Sequence, residues 1–203
     1  MILFMKFNFK KFKLEEGQSL VEMIVAIAII VTGLVGALAL TISNLTGVGE
    51  AGTRVVASNL AREGVEVVRN LRDANWLQNL AWDTGLFLGD DFTAIAVFNS
   101  TTNKWHLDFS PNGISEVTAK LYRGPENLYL QDVVPPVGTA TQYARLLTLD
   151  PICFNAATKT ETITGNSCGA EEKTGIRVKS EVSWTVSGRQ HSVILEDRLY
   201  NWR

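Results

Sequence analysis

The sequence predicts an α+β fold, a long N-terminal helix followed by a mainly antiparallel β-sheet domain. Three observations carry that prediction. Residues 23–49 contain no charged side chain. Apolar residues between Val56 and Ala74 recur at three- and four-residue steps, the spacing of one helix face. From Ile176 to Val186 apolar and polar residues alternate with a period of two, as in a strand with one buried face. The totals say less. The chain has 203 residues, 19 basic and 21 acidic, and is 46% hydrophobic and 20% charged. That suits one good-sized domain or two small ones. It lacks the basic excess through which proteins neutralise phosphates, so no direct binding of nucleic acid is expected.

The first element is the apolar run. Met23 to Leu40 is interrupted only by Thr32, Gly33 and Gly36, and a helix of roughly 20 apolar residues crosses the hydrocarbon layer of a bilayer. Lys6, Lys10, Lys11 and Lys13 precede it, whereas the first basic residue after it is Arg54. By the excess of positive charge on the cytoplasmic side, the N-terminus stays in the cytoplasm and the bulk of the chain is exported. In an oxidising compartment Cys153 and Cys168 can form a disulfide. The spacing also allows two unrelated buried thiols.

Beyond the run the helix turns amphipathic. Val56, Leu60, Gly64, Val67, Leu71 and Ala74 share one side, with Arg54, Ser58, Arg62, Glu66, Arg69 and Asp73 opposite. One helix from about Gln18 to Asn75 accounts for both halves. Gly47, Gly49 and Gly52 weaken the junction, each by up to about 1 kcal/mol relative to alanine, and favour a bend or local melting there. Gly33 and Gly36 are small positions that let helices approach closely.

From about Asn79 the pattern is that of strands. Ile176, Val178, Val182, Trp184 and Val186 form an apolar face that only Ser180 breaks. Ser187-Gly188-Arg189 then gives a turn, so 176–200 reads as a hairpin with a second strand from His191 to Leu199. Shorter strands are expected at 94–98, 104–109, 117–122, 127–131 and 142–149. Pro135-Pro136 and Gly138 mark a loop.

The residues before the apolar run carry a more specific signal. Lys13-Leu14-Glu15-Glu16-Gly17-Gln18-Ser19-Leu20-Val21-Glu22 is a basic leader closing on a small residue, followed by a lone carboxylate at the start of the apolar segment. Here the chain resembles the type IV prepilin family, which includes the pseudopilins of type II secretion. In that family a membrane aspartic peptidase cuts after a glycine and methylates the new N-terminal amine, and the fifth mature residue is a glutamate. The resemblance implies cleavage between Gly17 and Gln18, N-methylation at Gln18, and an assembly role for Glu22. The divisions it implies are a leader at 1–17, a transmembrane and filament-core helix at 18–45, its amphipathic continuation at 46–78, and an exported β-rich domain at 79–203. A disulfide near the C-terminal end is common in the family, and Cys153 with Cys168 is similar.

The spacing also has a physical reason. The freed α-amine is positively charged at neutral pH, and a secondary amine keeps that charge. It can meet the Glu22 carboxylate of a neighbouring subunit, so two charges costly in lipid offset one another on assembly. The implied partners are other pilin subunits, the prepilin peptidase, the inner-membrane assembly platform and membrane lipid. Gln18 is polar where the family most often has Phe or Met, and residues 18–75 contain no proline. Both features point to a minor pilin or a pseudopilin with an unkinked helix, in a cell-surface or periplasmic filament.

A competing reading starts from Ala37-Leu38-Ala39, which has the form of an ordinary signal-peptidase site. Cutting there would leave a secreted domain beginning at Leu40, with a binding or hydrolytic role. The sequence offers little chemistry to support an enzyme. It has no G-x-S-x-G, no phosphate-binding G-x-x-x-x-G-K-S/T and no H-E-x-x-H. His106 and His191 are the only histidines, and no metal or other cofactor is expected. Asp83-Thr84-Gly85 resembles an aspartic-protease tripeptide but occurs once, and Asp90-Asp91 lacks the rest of a calcium loop. Both are expected to be turns or solvated loops. Removing residues 1–17 would leave 15 basic and 19 acidic residues, a side-chain charge of −4.

Overall fold

A computed structural model of the chain describes residues 20–88, 92–132, 138–165 and 167–202. It is α+β, with one long helix, α1 (Leu20–Leu77), followed by an antiparallel sheet. The chain divides into two compact units after Gly49.

In the first unit the described residues are helical from Leu20 to Gly49, and all are exposed. The helix assignment also runs through Gly47, Gly49 and Gly52, so the local melting favoured by these glycines is not seen.

Among the described residues the second unit holds the rest of α1 and eight strands: β1 (Thr93–Asn99), β2 (Lys104–Asp108), β3 (Lys120–Arg123), β4 (Tyr129–Leu130), β5 (Thr139–Asn155), β6 (Thr160–Ile163), β7 (Glu172–Val186) and β8 (Arg189–Tyr200). β5 is the organising strand. β7 runs along one of its edges from Tyr143 to Phe154, and β8 pairs with β7 beyond. A strand has only two hydrogen-bonding edges, so β3, β1 and β6 share the other edge in turn, opposite 139–144, 147–148 and 152–155. β2 and β4 complete hairpins with β1 and β3.

The differences from the expected strands have local causes. The strand expected at 142–149 is the middle of a 17-residue strand that continues through Pro151. Proline is tolerated there because its carbonyl, which takes the Thr164 N–H at 3.2 Å, faces the edge shared by β1 and β6. The missing N–H therefore falls between two short neighbours and costs no bond to β7. Residues 117–119 form a 3₁₀ turn before β3, and 125–127 form another before the two-residue β4. β6 (Thr-Glu-Thr-Ile) has three exposed residues and no apolar alternation to reveal it. The 176–200 hairpin is present and longer at its start, with Ser187 at φ 50° and Gly188 at φ 77°. Two consecutive positive φ values are what a two-residue type I′ connection requires.

α1 ends in a Schellman motif. Asn79 takes the left-handed conformation (φ 55°), its N–H reaches the Trp76 carbonyl, and Leu80 N–H reaches the Asn75 carbonyl at 2.9 Å. The Asn75 amide then donates to the Trp82 and Thr84 carbonyls, tying the following loop to the helix end.

The core lies between the second part of α1 and one face of the sheet. Val65, Val67 and Val68 meet Leu147 and Leu149 of β5, Ile176 and Val178 of β7, and Leu199 of β8. Ala57, Leu60 and Ala61 meet Tyr143, Val182 and Trp184. The buried stripe is wider than the sequence periodicity suggests and includes Ala57, Ala61, Val65 and Val68. Small side chains at 57, 61 and 64 bring the helix close to the sheet, so neighbouring positions become buried too.

Candidate functional site

The residues singled out for processing, Gly17 and Gln18, lie outside the described residues. Glu22 lies in the first described turn of α1 and is exposed. Among the described residues it has no hydrogen-bond or ion-pair partner. It is also the only charged residue from Leu20 to Gly49.

The surface around Glu22 is apolar on every side of the helix. Ile24, Val25, Ile27, Ile29, Ile30 and Leu34 are each at least half exposed. No residue in the most apolar 18-residue window is buried, and the helix is long and apolar enough to cross a membrane. Its threonine hydroxyls are satisfied internally. Thr32, Thr41 and Thr46 donate to the carbonyls of Ala28, Ala37 and Ile42, four residues back, at 2.7–2.9 Å. Such back-bonding removes the cost of an unpaired hydroxyl in a medium without water. Gly33 and Gly36 leave open surface, since a Cβ at either would meet nothing within 4 Å.

Cys153 and Cys168 are at disulfide distance, with Cα atoms 5.4 Å apart. Cys153 is buried at the end of β5. The bond ties β5 to the segment leading into β7, around β6, which itself pairs with β5 through Cys153 and Thr162.

The remaining candidates do not converge. His106 is exposed on β2, and His191 stacks on Trp184 at 5.6 Å between ring centres. Asp83 forms a salt bridge with Lys173, while its carbonyl accepts the Leu86 N–H in a turn where Gly85 has φ 74°. The Asp-Thr-Gly tripeptide is therefore a turn, as expected. Asp90 and Asp91 lie outside the described residues. No group of three or more His, Cys, Asp or Glu able to hold a metal ion occurs among the described residues.

One polar centre has no signal in the sequence. Arg145, on β5, is fully buried between α1 and the sheet. It donates to the Leu60 carbonyl at 3.1 Å and the Gln131 side-chain oxygen at 2.9 Å, and Glu63 stands 3.6 Å away. Gln131 in turn donates to the carbonyls of Ala119 and Arg145. Burial lowers the Arg145 pKa below the ordinary arginine value, and Glu63 opposes that shift. Nearer the surface, Arg69 bridges Glu66 and Asp197; the hydrogen bond to Asp197 is the main cause of its raised pKa.

Two open grooves of about 430 and 380 Å³ flank Trp105 and share Glu63. The carboxylates lining them are already engaged, Glu63 with Arg145, Glu66 with Arg69 and Asp73 with Arg72. They offer no free acid and base pair. Compared with protein-family models, curated proteins and solved structures, the chain matches none.

Proposed function

We propose that this chain is a non-enzymatic filament subunit, a minor pilin or pseudopilin, cut between Gly17 and Gln18 and assembled through its N-terminal helix. The observation that carries this reading is the pairing of an exposed apolar helical segment, residues 20–49, with one carboxylate, Glu22, that has no partner among the described residues. Apolar surface on all sides must be covered by lipid or by other helices. A membrane anchor alone needs the apolar residues but not the acid, which costs about 2.5 to 3.5 kcal/mol at mid-bilayer and less near a helix end.

A partner for the acid explains its presence. In the membrane before assembly, Glu22 lies near the end of the span, where headgroups and water lower its cost. In the filament, the amine of Gln18 on a neighbouring subunit neutralises it, and Gly33 and Gly36 provide close contact between helices. The exported β-rich domain then forms the outer surface, with the N-terminus of the precursor in the cytoplasm.

The test is the mature N-terminus together with Glu22→Leu. The variant is expected to insert in the membrane as well as the parent and to enter filaments at least tenfold less. Undiminished incorporation would remove the role of Glu22. A chain beginning at Leu40 would instead establish the secreted-domain reading.

A further inference from the structure

β8 is an edge strand, since among the described residues it pairs only with β7. Its sequence departs from the alternation that governs β7. Val193-Ile194-Leu195 is a run of three apolar residues, so apolar side chains lie on both faces of the strand. Val193 is half-buried against the Trp184 cluster, but Ile194 is 47% exposed and Leu195 37% exposed. A long edge with unpaired backbone groups and exposed apolar residues is a template for another strand; the Arg198 N–H is taken by the Asp197 side chain at 2.8 Å, so the open stretch lies before Arg198. Natural edges are usually blunted by charge. Here Arg189, Glu196, Asp197 and Arg198 flank the apolar run and leave its centre open.

We infer that the β8 edge is an interface between two copies of this chain, joined antiparallel across a two-fold axis at Ile194. The strand is self-complementary in that register. Ile194 stands opposite Ile194, and Val193 opposite Leu195 on the helix-facing side. His191 stands opposite Asp197, setting a ring N–H against a carboxylate, while Ser192 faces Glu196 and Gln190 faces Arg198. No like charges are opposed. Shifting the centre to Val193 sets Leu195 against His191 and Ile194 against Ser192. Shifting it to Leu195 sets Val193 against Asp197. The register centred on Ile194 is the one of these three that pairs the apolar run with itself. Asp197 points to the helix side but is not an unpaired charge, because Arg69 holds it at 2.5 Å. A two-fold contact of this kind closes on itself, giving a pair of subunits rather than a growing sheet. The inference does not depend on the filament reading.

Cysteine cross-linking of the full chain in membranes tests it. The sequence has two cysteines, which are bonded to each other, so an added thiol is the only free one. Ile194→Cys is predicted to give a disulfide-linked dimer under mild oxidation, because directly opposed residues have Cβ atoms about 4.5–5.5 Å apart. Arg198→Cys is predicted not to, since its two copies would lie roughly 27 Å apart along the strands. Ser192→Cys and Glu196→Cys, on separately tagged copies, should cross-link to each other and neither to itself. Absence of the Ile194→Cys dimer, equal cross-linking at Arg198→Cys, or capture of a different protein at Ile194→Cys would each overturn the proposal. Retention of the Cys153–Cys168 bond in every variant reports that the domain has folded.

Discussion

Gly64 of α1 lies directly over Ser180 of β7. A Cβ at Gly64 would stand 2.5 Å from the Ser180 Oγ and 2.8 Å from a Leu147 methyl. This contact explains why serine interrupts the apolar face of β7, since a larger side chain at that point would push the helix off the sheet. Gly64→Ala is therefore predicted to destabilise the domain by about 1–3 kcal/mol, although alanine is the better helix former. Ser180→Ala should recover part of the loss in the double variant, as read in the thermal unfolding of detergent-solubilised protein. A stabilised Gly64→Ala would show that the contact is looser than described.

Arg145 holds α1, β5 and the segment after β4 together. Arg145→Ala is predicted to cost about 3–5 kcal/mol, because it leaves a cavity and strands the Gln131 side-chain oxygen, while the Leu60 carbonyl keeps its bond within the helix. Arg145→Met fills most of the volume and removes the buried charge, so it should cost clearly less. Denaturant unfolding of the two variants gives the comparison. Equal losses would mean that the charge, not the packing, decides.

The architecture was legible in the sequence where the causes were local. The amphipathic repeat gave the helix, and the β7–β8 turn was readable from Ser187-Gly188. β5 runs beyond the expected 142–149, and through Pro151, because the arrangement of β1 and β6 on its edge makes proline harmless there, which no local pattern reveals. Arg145 gave no signal at all. Its partners come from residues 60, 63 and 131, and nothing near position 145 distinguishes a buried arginine from an exposed one. For the candidate site, Glu22 stood out because a charge in an apolar run is conspicuous at any distance from the fold.

Removing the disulfide by Cys153→Ser with Cys168→Ser is predicted to lower stability by about 3 kcal/mol, the chain-entropy value for a loop of this length. For a chain of this size that corresponds to a midpoint lower by roughly 6–12 °C. Thermal unfolding of the oxidised parent and the double variant checks it. An unchanged midpoint would show that the β5–β6 pairing constrains the loop without the bond.

Gly47→Ala with Gly49→Ala should stabilise the helix locally by about 0.4–1 kcal/mol per site, since neither added methyl would meet another atom. Slower amide exchange across residues 45–53 is the expected readout. Unchanged exchange would mean that these glycines do not limit helix stability.

Under the proposed function the chain matures by a cut ahead of its apolar helix and keeps that helix for assembly. The most direct measurement is intact mass with N-terminal sequencing of the protein from membranes of its native host. The account predicts a chain beginning at Gln18 and carrying one added methyl group on its amine. A chain beginning at Leu40, or one retaining residues 1–17, would contradict it.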